Sequence, residues 1–394
     1  MIAKIEGEYG PLTISERMVQ KIWAKGDFRK SDLKTLEGAH LEILDLGQWN
    51  LLAGPDFKQV SIKVDGKVKY GDAELHFFDS DWETHNHGSD PAFNNVILHI
   101  LVFPPKIRKR SIRCSIEHTL LLLDLLPQGL ESYAEEEALG ALISGDETGL
   151  EESLLEQTFE VRMTLLVESA RKRWKAKVAY AKGRLDTLGW EEACHHTALE
   201  IMGYRYNRAA MLFLAGDYSL SALRSGNHTA SDLYQAGHGR WRTSGTRPAN
   251  HPRQRLFQYE DWINQRPLWP SDLETLLKRF PQVANSEVLS STRKSLGLAK
   301  IRPLLAENVV GGAVGGTRIE NLICDGFLPL LAANAGRELF SYWYHWFPGD
   351  IPAALKRLLQ LIKNGSPGRL PICNGELQGA LQRMIELRTP KQGK

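Results

Sequence analysis

The chain has 394 residues, 42% of them hydrophobic and 24% charged, the balance of an ordinary globular protein with room for two or three domains. A formal net charge of +2 excludes a global pull toward nucleic acid, so any such attraction must be local. No run approaches the roughly eighteen consecutive apolar residues of a membrane span, and the opening MIAKIEGEYGPLTISERMVQ lacks a signal peptide's apolar stretch; together these predict a cytoplasmic protein with no membrane partner. Cys114, Cys194, Cys324 and Cys373 form no CxxC pair, which argues for buried thiols rather than a zinc ribbon or disulfide framework.

In ISERMVQKIWAKGDF the apolar positions Ile14, Met18, Val19, Ile22 and Trp23 recur at helical spacing, with Thr13 available as a cap. HLEILDLG reads as a strand stopping at Gly47. QVSIKVDGKVKYGDAELHFF carries a hairpin, because Asp65-Gly66 supplies the positive φ angles of a tight turn between two alternating runs. NVILHILVF is a continuous apolar run, expected as a central strand ended by Pro104-Pro105.

From about residue 120 the periodicity turns helical, through LLLDLLPQGLESYAEEEALGALIS, a long segment from Gly149 to Leu185, and WEEACHHTALEIMGY. Residues 225–256 are rich in Gly, Ser, Asn, Pro and Arg and predict an irregular segment, after which helical patterns resume to the end. GGAVGG, Gly311 to Gly316, lacks the Gly-Lys-Ser/Thr ending of a phosphate loop and reads as a hinge. The fold expected is α+β, a mixed-sheet α/β domain over 1–118 and a mostly helical domain over 119–394, with a frayed RTPKQGK tail.

Chemistry concentrates in the first domain. In DAELHFF the strand period of two puts Glu74 and His76 on one face and Ala73, Leu75 and Phe77 on the other. If Asp56 of GPDF opens the preceding strand, its carboxylate sits beside Glu74. Two adjacent carboxylates repel unless a proton or cation intervenes, and Mg²⁺ or Mn²⁺ with a phosphate ester is the usual occupant. An isolated E-x-H, by contrast, is more often the polar face of a half-exposed hairpin.

Pro55-Asp56 followed by Glu74-Leu75-His76 on the next strand resembles the PD-(D/E)XK nuclease superfamily, whose fold is that of restriction endonucleases. The resemblance implies a metal-dependent nuclease acting on DNA or RNA. Asp56 and Glu74 would bind Mg²⁺ or Mn²⁺, Glu16 would stand as an additional acidic residue, and His76 would replace the usual lysine, orienting or deprotonating water without carrying its fixed charge. The same region, with GPDF, ELH, H-x-H and NNVILHI, and with RPAN at Arg247 to Asn250, also resembles a bacterial family of unknown function; clustered C-terminal cysteines found in some members are missing here.

His85 and His87 are accessory candidates, as phosphate contacts or transition-metal ligands, or else members of a capped polar loop; His99, inside an apolar strand, reads as a core residue. Nucleic-acid contacts are expected from a basic helix carrying Arg171, Arg173, Lys175 and Lys177, and from Arg240, Arg242 and Arg247 in the irregular segment, unless these are a solvated helix face and a surface loop. Two competing readings stand beside the nuclease: an inactive nuclease fold kept for binding nucleic acid or protein, and a zinc hydrolase built on His85, His87 and a carboxylate.

Overall fold

The computed structural model describes residues 2–7, 10–105, 118–144, 156–204, 206–244, 246–281, 293–349, 351–364 and 371–388; Cys114 and tail residues 389–394 lie outside this range. The chain is mixed α+β and divides into two units, residues 1–5 with 13–127 and residues 6–12 with 128–394.

After a small two-stranded sheet, β1 (Ile2–Gly7) with β2 (Gly10–Ser15), the first unit opens with α1 (Glu16–Ala24). Ser15, not Thr13, caps α1, its hydroxyl accepting from Met18 N. The spacing of Met18, Val19, Ile22 and Trp23 forms one buried stripe, and Trp23 stacks on Phe28 at 4.9 Å.

A seven-stranded sheet follows: β3 (Leu33–Lys34), β4 (His40–Asp45), β5 (Gln48–Trp49), β6 (Phe57–Val64), β7 (Lys67–His76), β8 (Val96–Leu101) and β9 (Thr119–Leu121). Its order is β3-β4-β6-β7-β8-β9, with β5 paired to β6. The strands up to β7 pair antiparallel, whereas β8 and β9 add in parallel. The Asp65-Gly66 turn forms as the sequence predicts, with φ of 45° and 84°.

β8 joins β7 only from Asp72 onward. The first half of β7 is therefore largely exposed, while Ala73 to His76 are buried on both faces. This overturns the simple alternation of a half-wet strand: the Glu74 and His76 face is enclosed. Gly71 marks the junction, because a Cβ there would sit 2.5 Å from the Asn95 carbonyl oxygen and 2.6 Å from Ile97 Cγ2.

The second unit is helical: the residues just past 118 still form β9 of the first unit, and the second unit's helices begin with Leu130–Ser144. Its spine is the helix Phe159–Met202, interrupted at Gly189, whose φ of 73° and ψ of 175° break the helical path. Around it lie Arg208–Asp217, Pro252–Gln265, Thr317–Asn321, Leu328–Ala335 and Asn374–Arg388. The 225–256 segment is less irregular than its composition implies: Ala230–Ala236 is a helix with a capping box, in which Thr229 and Asp232 satisfy each other's backbone amides. GGAVGG is the turn between Leu305–Val309 and Thr317–Asn321, with positive φ at Gly311, Gly312 and Gly316.

Candidate metal centre

Glu74 organises the first unit's polar residues. It lies near the carboxyl end of central strand β7, and its side chain is buried. Oε2 accepts from Asp56 N at 2.9 Å, because Asp56 directly precedes β6 and the Phe57–Ala73 pairing brings the two together. The Asp56 carboxylate accepts from Gln20 Nε2 at 2.6 Å and from Leu75 N at 3.2 Å. Gln20 and Glu16 lie four residues apart on one face of α1, so a single helix supplies both. Burial first, then the Glu74 charge, push the Asp56 carboxyl up to about 7, and the Glu16 charge adds to this.

Oε1 of Glu74 faces the histidines, 3.5 Å from His76 Nε2 and 3.3 Å from His87 Nε2. His76 Nε2 also lies 3.2 Å from His85 Nδ1. One ring nitrogen from each of His76, His85 and His87 falls within 4.8 Å of the others. His85 and His87 reach the same ring because Asn86 between them takes a left-handed conformation, φ 57°. His87 is held from behind by Phe93, whose ring centroid is 3.8 Å away.

A metal at about 2.0 to 2.1 Å from four tetrahedral donors separates neighbouring donors by about 3.4 Å. Three of the six edges of such a set, at 3.2, 3.3 and 3.5 Å around Glu74 Oε1 and His76 Nε2, match that spacing, and the three histidine nitrogens lie within 4.8 Å of one another. His87 Nε2 is buried and makes no hydrogen bond, although it points at a carboxylate oxygen, as a ligand set with a shared centre would require. Three imidazoles and a carboxylate suit a first-row transition ion such as Zn²⁺ or Mn²⁺ and poorly suit Mg²⁺.

His76 does not carry lysine's fixed positive charge. Its pKa is driven down to about 2, by burial first and then by His99, His87 and His85, so it stays neutral and is a weak base at physiological pH. As a neutral ring it keeps a lone pair for a metal. His99, read from the sequence as a core residue, is buried as expected, but its Nε2 lies 2.9 Å from His76 Nδ1, where it orients that ring. Sequence reasoning missed this link and the Gln20 contact; the parallel register that sets Glu74 opposite His99 carries no local signal.

The basic residues divide differently from the expectation. Arg173 and Lys177 are buried: Arg173 pairs with Glu135 at 2.5 Å and Lys177 with Asp325 at 2.7 Å, so both hold helices together instead of offering charge to a phosphate. Arg171 lies over the Phe340 ring and Lys175 is exposed. Arg240 and Arg242 stack on Phe213 and Tyr206 at 3.8 and 4.5 Å, and Arg247 is exposed.

Fold and site together define a mixed α+β protein with a carboxylate and histidine centre at the end of its central strand. The chain belongs to the family described as "Protein of unknown function (DUF2851)", which matches residues 16–236. No curated protein and no solved structure matches it. Among the described residues no helix is long and apolar enough to cross a membrane.

Proposed function

We propose that the chain is a metal-dependent hydrolase of phosphodiester bonds in DNA or RNA, working from the centre built on Glu74. The observation that carries this reading is the convergence of one ring nitrogen from each of His76, His85 and His87 within 4.8 Å of one another, with Glu74 Oε1 at 3.5 and 3.3 Å from two of these rings and the Asp56 carboxyl alongside. The substrate class comes from the PD-(D/E)XK resemblance, and support for it is an order of α1, then strands β3 to β7, a short helix at Asp81–Thr84, and β8. A divalent ion such as Mn²⁺ or Zn²⁺, once bound, would polarise a phosphoryl oxygen and acidify a water. Asp56, held near neutrality and positioned by Gln20 and the Leu75 amide, is the base for that water.

A second reading places Mg²⁺ or Mn²⁺ between Asp56 and Glu74, with His85 and His87 touching the phosphate. It is favoured by the raised Asp56 carboxyl, since burial and the neighbouring Glu74 charge both make its ionised form less favourable and a cation between the two would relieve this.

Metal-binding calorimetry and cleavage assays on single- and double-stranded DNA and RNA separate the two. On the first reading Asp56→Asn keeps metal binding and loses cleavage by roughly 10²-fold or more, while His87→Ala loses metal. On the second, Asp56→Asn loses metal and His87→Ala keeps it. Wild-type protein inert on every substrate with all three metals would sink the hydrolase and leave a binding module.

A further inference from the structure

The hairpin that joins β5 to β6 carries Leu51 and Leu52 at its tip, 67% and 84% exposed, and Leu52 is the most exposed large apolar side chain among the described residues. Single exposed leucines are common, but this pair is adjacent and held in place. The Asn50 side chain donates to the Ala53 and Pro55 carbonyls at 3.1 and 2.9 Å and accepts from Leu52 N at 3.1 Å, while Asn50 N donates to the Asp56 carbonyl at 2.7 Å. Gly54, with φ of 97°, completes the bend. A tip tied in this way is already ordered, so a partner meets less of the entropy of fixing it.

The tip stands beside the Glu74 centre. It runs directly into Asp56, whose amide donates to Glu74 Oε2. On the other side, a Cβ on Gly54 would lie 3.9 Å from Ala92 Cβ, in the 3₁₀ turn Pro91–Phe93 whose Phe93 backs His87. Lys58 Nζ would lie 4.0 Å from the same Cβ, and Asp90 caps the facing turn through Ala92 N, so opposite charges flank the tip and its place beside the centre selects the occupant. The centre is recessed, with the Glu74 and His87 side chains 7% and 12% exposed. A stacked duplex is stiff, and its backbone enters such a recess by bending; leucines inserted at a base step unstack it and kink the duplex.

We propose that Leu51 and Leu52 are an apolar wedge that enters between stacked base pairs of a nucleic-acid duplex and turns its backbone toward the Glu74 centre. This rests on the phosphodiester reading of that centre and names its substrate as double-stranded.

The full chain is titrated, with EDTA present to prevent cleavage, against duplexes carrying 2-aminopurine at successive positions; this adenine analogue brightens when unstacked. Anisotropy reports binding and fluorescence reports the wedge. Wild type should brighten the probe severalfold at one step and bind a mismatched duplex more tightly, because its bases are already loosened. Leu51→Ser/Leu52→Ser should lose the brightening and about tenfold in duplex affinity, with Mn²⁺ binding and melting temperature unchanged, since both side chains are exposed. Binding without brightening at any position, or equal brightening and affinity in the variant, overturns the wedge, and cleavage by wild type with metal would then leave the hydrolase standing. Brightening without cleavage under any metal keeps the wedge and removes the hydrolase. No duplex binding overturns the wedge, as does a variant that instead loses vesicle co-sedimentation or self-association, which assigns the tip to a membrane or to a second copy of the chain.

Discussion

Asp325→Asn tests whether Lys177 is a structural cation. The Lys177 side chain is 3% exposed and Asp325 is its carboxylate partner at 2.7 Å. Burial lowers the lysine pKa more than Asp325 restores it. Removing the aspartate charge leaves a buried ammonium, a change that typically costs about 3 to 5 kcal/mol. The lysine can escape by shedding its proton, which bounds the cost near pH 7 at about 4.6 kcal/mol, from an ordinary lysine pKa of about 10.4 at about 1.36 kcal/mol per unit. Because the folded lysine then binds fewer protons than the unfolded one, the deficit shrinks with rising pH, to about 2 kcal/mol at pH 9. Lys177→Met should cost less, since Asp325 remains 27% exposed and keeps some water, and the pair of changes together should cost less than their sum. Urea denaturation at both pH values measures this. The salt slope of oligonucleotide binding, which falls by about 1 when a phosphate contact is lost, should not change in Lys177→Met. A loss below about 1 kcal/mol in Asp325→Asn, a loss independent of pH, or a flattened salt slope would refute the reasoning.

His195 is fully buried between the Tyr259 hydroxyl at 2.7 Å and the Tyr218 carbonyl at 2.9 Å, and burial pulls its pKa down to about 3. Its contribution is fully present above the unfolded pKa of about 6.5 and declines as pH falls toward 3, so wild type should lose about 2 kcal/mol more than His195→Gln between pH 6.5 and 5 in urea denaturation. Gly71→Ala forces β7 and β8 apart at their junction and should destabilise the protein by about 1 to 3 kcal/mol in the same assay; a neutral substitution would mean the sheet yields there.

Local signals carried much of this fold. Asp65-Gly66 wrote its own turn, the Met18 to Trp23 stripe its own helix, and Pro55-Asp56 with Glu74 its own juxtaposition. What the sequence hid depends on partners distant along the chain. Alternation in DAELHFF reads as one wet face because nothing in it reports that β8 covers β7 from Asp72 onward. The eight basic residues from Arg162 to Arg184 look like a charged stripe until Glu135 and Asp325 arrive from other helices. The helix at Ala230–Ala236 was legible in the Thr229 and Asp232 capping spacing, but Gly, Ser, Asn and Pro nearby outweighed it.

The same distance-dependence alters the meaning of a histidine where PD-(D/E)XK enzymes carry lysine. A lysine is useful there as a fixed positive charge beside a phosphate. His76 sits among His85, His87 and His99, and each neighbour makes a proton on its ring less favourable. The cluster therefore offers lone pairs at neutral pH, not charge, and Glu74 meets it with one oxygen while its second oxygen accepts from the Asp56 amide. Returning a lysine to position 76 would place a cation among three imidazoles and remove a donor from the set. Position 76 belongs with His85 and His87 as one unit of chemistry, and whether that unit or the Asp56 and Glu74 pair holds the metal is what the Asp56→Asn and His87→Ala pair distinguishes.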